Sequence, residues 1–356
     1  MGAVSSNAGA QRANDAADPG GRSAAVSVVE LDGQYRALRE GAGLLDRSER
    51  CKLAVAGPDA AEFLQGQLTN ELEALSAGEG CYAALLERKG HMQADMRVLR
   101  LDPEQVWLDA EPEVADVLRR HLSLYSVGRE VEISEPERSI LSLIGPAASH
   151  IAGIGALAPE YAHREIDLGA IRCRAVATDL GIDLICPARQ APEVSEALVR
   201  NGAAQVSEAA AEIVRVESGR PRFGREMTTA TIPQEAGIDE RAVSFTKGCY
   251  IGQETVARLH YKGKPNRHLR GLRLEAVVPD GDPIALDGRE VGRIGTAVLS
   301  PALGPIALAV IRREALPGAR VEVGEERVAA EVVELPFRAR APESACELHP
   351  AGESLR

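Results

Sequence analysis

Apolar residues recur along this chain with two periods, and the switches between them mark out its units. Gln34 to Glu40 reads as a short helix, and Gly43-Leu44-Leu45-Asp46-Arg47-Ser48 leads into a strand from Lys52 to Ala56. Gly57-Pro58-Asp59 then opens a helix with Phe63, Leu64 and Leu68 as its apolar face, the proline standing where a missing N–H costs nothing. After Gly78-Glu79-Gly80 the spacing turns to strands. Tyr82 to Leu86, Met92 to Leu101 and Val106-Trp107-Leu108, joined by turns at Arg88-Lys89-Gly90 and Asp102-Pro103, predict an antiparallel meander. Pro112-Glu113-Val114 starts a helix through Leu122 that should turn Val114, Val117, Leu118 and Leu122 inward.

The same order then returns. Gly145-Pro146-Ala147 echoes Gly57-Pro58-Asp59, the strands Ile171 to Val176 and Ile182 to Ile185 echo the meander, and Pro192-Glu193-Val194 echoes Pro112-Glu113-Val114. This predicts two related α+β units with antiparallel sheets, switching near residue 140. From Leu269 the texture is all-β. Apolar runs Leu272 to Leu274, Ile306 to Ile311 and Val328 to Val333 alternate with turn clusters such as Pro279-Asp280-Gly281 and Leu316-Pro317-Gly318, a pattern expected of a small barrel or sandwich. The expected division is a disordered arm over 1–24, the two-unit region over 25–265, a β-barrel over 266–341 and a loose tail over 342–356.

Composition narrows the function classes. A chain of 356 residues with 45% hydrophobic content is too long for one core. Its net charge of −12 argues against a general nucleic-acid or membrane-surface binder, since phosphate binding needs concentrated Lys and Arg. Six cysteines without a C-x-x-C pair fit a reducing compartment rather than a disulfide framework or a protein-held metal site. With no apolar run of spanning length, a soluble cytoplasmic protein is expected.

Candidate chemistry centres on Lys247-Gly248-Cys249-Tyr250-Ile251-Gly252-Gln253-Glu254. The following Thr255 to Lys262 reads as a helix with Ile251, Val256 and Leu259 on its apolar side, so Cys249 falls in the entering loop. Free helix N–H groups ahead and Lys247 nearby would favour a thiolate there. The alternative is a small cysteine at a turn whose glycines serve backbone geometry. Asp95 lies mid-strand among Met92, Met96 and Val98, where an acid faces either a cavity or solvent. Between Arg258 and Arg273 stand six basic residues and no acid, either a solvated helix end or a docking strip for an anion.

Four stretches carry a resemblance: Gly43 to Asn70, Gly80 to Arg100, Arg215-Val216-Glu217-Ser218-Gly219 continuing to Gly237, and the octapeptide. Together they resemble the YgfZ folate-binding branch of the superfamily containing the glycine cleavage T-protein, an aminomethyltransferase. The resemblance implies a clover leaf of two α/β-sandwich-like units and a barrel around a central channel for tetrahydrofolate. It further implies that Glu217 anchors the pterin, whose adjacent amino and N3–H donors suit one carboxylate, that Asp95 lies near the reacting nitrogen, and that Tyr82 stacks or hydrogen-bonds beside the ring. Gln253 stands where the T-protein carries a basic residue that shapes the folate site, and Arg258 opens the strip that would meet the glutamate tail. Loss of that charge and gain of Cys249 point to the branch that maintains iron–sulfur clusters in client enzymes, including tRNA-modifying ones, with Cys249 and Lys247 as the working pair. The alternative is a folate-dependent aminomethyltransferase or related C1 transferase using Asp95.

Overall fold

The structure, a computed structural model, describes residues 28–338. The expected arm over 1–24 and the tail over 342–356, with Cys346, lie outside the described residues.

The first unit holds helix α1 (Val28–Glu40), strands β1 (Gly43–Asp46) and β2 (Cys51–Ala56), helix α2 (Ala60–Gln67), the meander β3 (Gly80–Leu86), β4 (Met92–Asp102) and β5 (Gln105–Ala110), helix α3 (Ala115–Tyr125) and strand β6 (Glu132–Ser134). The second runs through β7 (Arg138–Ile144), α4 (Ala148–Ile151), β8 (His163–Leu168), β9 (Ile171–Ala177), β10 (Gly181–Pro187), α5 (Ala191–Arg200) and β11 (Ala204–Gln205). Helices α6 (Glu208–Glu217), α7 (Asp239–Ala242) and α8 (Gln253–Lys262) lead to the third unit. Its strands are β12 (Arg267–Leu274), β13 (Pro283–Leu286), β14 (Arg289–Ser300), β15 (Gly304–Arg312), β16 (Arg320–Val323) and β17 (Val328–Val333).

The repeat predicted from the sequence is a repeat of topology. One sheet has the order β3-β4-β5-β2-β6 and the other β8-β9-β10-β7-β1 with β11 added beyond β1, so each meander lies beside the strand that precedes its own first helix. Gly57 and Gly145 occupy the same point of the two units, with φ of 132° and 129°. A side chain at either would run into a backbone carbonyl, of Glu130 at 2.2 Å or Gly41 at 2.5 Å, so only glycine fits both the angle and the space. The strands of the third unit close into a six-stranded barrel in the order β12-β15-β14-β13-β16-β17.

Alternation on the strands decides which faces meet. Met92, Ala94, Met96 and Val98 of β4 join Val106, Leu108 and Ala110 of β5 in a core with Phe63 and Leu64 of α2 and Leu118 and Leu122 of α3. The opposite face of the same strands turns to the second sheet, where Leu99, Ile140, Val176 and Ile185 form an apolar layer with Trp107 and Tyr161 beside it. The two sheets thus share a seam. Three sequence expectations need correction. Val117 is 39% exposed rather than inward, because the packed stripe of α3 is narrower than its apolar spacing. Gly43–Asp46 is a strand of its own and pairs in the second unit's sheet, a long-range pairing that local pattern does not encode. Helix α8 begins at Gln253, two residues before the expected start.

Candidate functional site

Along β4 the residues facing the seam are Asp95, Arg97, Leu99 and Leu101, and along β5 they are Asp109 and Trp107. Near one end of the seam lies a cleft of about 170 Å³, lined by Arg50, Tyr82, Asp95 and Arg97 from the first unit and by Tyr161 and Asp183 from the second. Tyr82 on β3 donates to Asp95 Oδ2 at 2.5 Å. Asp95 Oδ1 is buried and has no hydrogen-bond partner among the described residues. Burial pushes the Asp95 carboxyl up to about 6 against the Tyr82 bond and the Arg50 charge that favour the anion, while Glu111 adds to the rise. Burial and the Asp95 charge beside it push Tyr82 well above the ordinary phenol range. Arg241 lies 5.2 Å from the centre of the Tyr82 ring and donates to Glu160 at 2.5 Å and Tyr161 Oη at 3.1 Å.

Beneath the cleft runs a continuous chain of ion pairs. Arg97 binds Asp183 of the facing sheet at 2.6 Å and Asp109 of the neighbouring strand. Arg50 joins Asp109 at 2.5 Å to Glu111, and Arg222 carries the chain from Glu111 at 2.8 Å to Glu208 and Glu212. Arg215 extends it from Glu212 at 2.8 Å to Glu226 at 3.0 Å, and donates to Thr296 of the barrel at 2.8 Å. The chain therefore crosses all three units. Sequence reasoning missed it, although Asp95-x-Arg97 alternating with Met92, Ala94, Met96 and Val98 is a usable signal of a charged face opposite a core face.

Glu217 stands elsewhere. Its carboxylate accepts from Tyr35 of α1 at 3.0 Å and Ser300 of the barrel at 2.5 Å, with Arg39 at 3.8 Å. It is buried and does not line the Asp95 cleft. Its carboxylate is held by these internal donors and clasps α1, α6 and the barrel together.

The octapeptide divides by residue. Lys247 is buried, and its ammonium donates to the carbonyls of Gln65, Leu68 and Asn70 at 2.6, 2.7 and 2.7 Å, which closes the C-terminal end of α2. Burial lowers it to about 8. The thiol its charge reaches is Cys81 on β3, which burial nonetheless pushes up to about 12. Cys249 is exposed. The expected Lys247–Cys249 pairing is therefore not formed, because all three ammonium protons are committed to carbonyls on another element. Gly252, at φ 85°, lies so close to the β3–β4 turn that a Cβ would sit 2.5 Å from the Glu87 carbonyl oxygen. Gln253 begins α8 half-buried, donating its N–H to the Tyr250 carbonyl at 3.3 Å, and Arg258 projects exposed one turn later. The basic strip does not stay together either, since Arg267 in β12 is held by Glu235 at 2.7 Å.

Two antiparallel α+β units that share a seam, with a buried acid in it, followed by a closed six-stranded barrel, make up the class of architecture that the comparisons with known proteins also find. Residues 22–247 match the family described as GCVT N-terminal domain, and residues 267–338 match the glycine cleavage T-protein C-terminal barrel domain. The chain belongs to the glycine cleavage T-protein family. It is 31% identical over 330 residues to an aminomethyltransferase of Rubrobacter xylanophilus, covering 88% of each chain. It is 28% identical to one of Herpetosiphon aurantiacus, covering 89% of this chain and 92% of the other. The crystal structure of aminomethyltransferase T of the Bartonella henselae glycine cleavage system superposes with a TM-score of 0.79 at 24% identity, over 87% of this chain and 90% of that one, and shares the fold.

Proposed function

We propose that this protein is a tetrahydrofolate-dependent C1 transferase of the aminomethyltransferase kind, with Asp95 as its proton-handling group. The observation that carries the proposal is the buried Asp95 carboxyl with one oxygen held by Tyr82 and the other unpartnered in a cleft between two units. An orphaned buried acceptor suits a ligand N–H, which a pterin provides. When bound, tetrahydrofolate supplies a nucleophilic nitrogen that accepts the one-carbon unit. Asp95, ionised above about pH 6, would hold or accept a proton at Oδ1. Tyr82 fixes the orientation of the carboxylate, and the Arg97 pairs fix β4, which carries Asp95, against β5 and the facing sheet. The names of the relatives support this reading over the alternative.

Cys249 supports a second reading, in which the protein serves iron–sulfur client enzymes through an accessible thiol, as the YgfZ resemblance suggests. Its exposure on the loop before α8 favours that role over a packing role. The two readings part in a pair of experiments. Tetrahydrofolate-dependent release of ammonia from an aminomethyl-carrying thiol donor should fall at least about 100-fold in Asp95→Asn and stay near wild type in Cys249→Ser. Undiminished turnover in Asp95→Asn would remove the transferase proposal, and loss of client-enzyme activity in cells carrying only Cys249→Ser would establish the second reading.

A further inference from the structure

The seam between the two sheets has a second opening. From the Asp95 cleft the facing positions run from Arg97 to Leu99 to Leu101 on one sheet and from Asp183 to Ile185 on the other. Past the apolar layer lies a groove of about 670 Å³, larger than the cleft and within the usual range for small-molecule sites. Trp107 lies in it, with the Arg138 guanidinium 5.7 Å and the Arg174 guanidinium 5.9 Å from its ring centre.

The two groups of arginines in this seam are neutralised very differently. Arg97 sits between two buried carboxylates, and they hold its charge firmly. Arg138 has no carboxylate within ion-pair distance among the described residues, and neither has Arg164 at the groove's edge. Arg172 meets Glu165 and Asp167 only at 3.8 and 3.6 Å. Arg174, with a side chain 14% exposed, has Glu165 at 3.3 Å, and burial together with the Arg138 charge disfavours its ionised form. One Arg174 nitrogen lies 2.9 Å from His163 Nδ1, and His163 Nε2 lies 3.1 Å from the Glu79 carbonyl oxygen. His163 is therefore neutral, accepting at Nδ1 and donating at Nε2, a state that its fall to about 4 also favours. Against Arg138, Arg164, Arg172 and Arg174 the groove lining offers Asp102 and Glu165, and Asp167 meets Arg172 beside it. Two of these guanidiniums, Arg138 and Arg164, are left without a carboxylate partner among the described residues, in a chain whose net charge is −12.

We propose that this groove binds a small dianionic oxyanion, a phosphate monoester or a dicarboxylate, between Arg138, Arg172 and Arg174 on the face of Trp107. Guanidinium forks match planar or tetrahedral oxyanions bidentately, and two negative charges would answer the two guanidiniums that lack a carboxylate. The site is separate from the Asp95 cleft and does not depend on the transferase reading.

Trp107 is the single tryptophan of the chain, so its fluorescence reports this groove directly. The full chain would be titrated with inorganic phosphate and, separately, with succinate, at constant ionic strength set by chloride. A saturable change with one or both is expected at up to about 10 mM, and the arm that saturates identifies the source of the anion. Arg138→Gln should weaken it about tenfold or more, while Arg138→Lys should retain part of it. Should Arg138→Gln prove unfolded by circular dichroism, Arg164→Gln with Arg172→Gln, both at exposed positions, should weaken binding instead. A response no different from chloride for both anions, or a folded charge-removed variant that titrates like the parent, would show that the guanidiniums only pack against Trp107.

Discussion

Arg97 reaches across the seam to Asp183, Nη1 standing 2.6 Å from the carboxylate, while its other terminal nitrogen holds Asp109 on the neighbouring strand. One side chain thus ties two sheets together directly behind the Asp95 cleft. All three groups are buried, so removal of the arginine strands Asp183, while Asp109 keeps Arg50. Arg97→Met should cost about 3–5 kcal/mol in urea unfolding, and adding Asp183→Asn should restore part of that. Strictly additive losses would show that the pair is not coupled.

The Asp95 carboxyl gives stability a recognisable pH dependence. Its folded value of about 6 lies above the ordinary value near 3.9, so the folded state holds the proton more tightly. The stability this contributes is present in full below about pH 4 and is lost as pH rises through about 6. Asp95→Asn keeps an acceptor for Tyr82 and has nothing to ionise. It should be more stable than wild type by about 1–3 kcal/mol at pH 8, with the gap narrowing toward pH 4, in thermal unfolding across that range. A gap independent of pH would mean that Asp95 titrates near its ordinary value.

Lys247 is a structural cap in this fold. Lys247→Met would leave the Gln65, Leu68 and Asn70 carbonyls without their donor and should destabilise by about 2–4 kcal/mol. The rate at which Cys249 is alkylated in the folded variant should stay within about twofold of wild type. A large drop in that rate without a loss of stability would restore Lys247 as the partner of the thiol.

Glu217 separates clasp from pterin anchor. With Tyr35 and Ser300 already donating to it, Glu217→Gln should lower stability by about 1–3 kcal/mol. Tetrahydrofolate affinity, measured by calorimetry on the folded variant, should change less than about threefold. A tenfold or greater weakening would place the pterin at Glu217 and require Tyr35 and Ser300 to give way.

The sequence by itself determined the units and their repetition, because strand alternation, the meander turns and the Gly57-Pro58 and Gly145-Pro146 starts are local properties of the backbone. It also singled out Asp95, since an acid among apolar strand residues must be explained by what it faces, while Tyr82 is marked by the family resemblance alone. Tertiary structure decided what the outstanding residues are attached to. Lys247, two positions from Cys249, bonds carbonyls nearly 180 residues upstream, and Glu217 bonds Tyr35 and Ser300 from opposite ends of the chain. Such partners are set by how sheets and helices close on one another, and a carboxylate or an ammonium carries the same letter whether it clasps a core or waits for a ligand. The second groove follows the same logic: Trp107, Arg138 and Arg174 come from three strands of two sheets, and only their packing brings two guanidiniums over one indole.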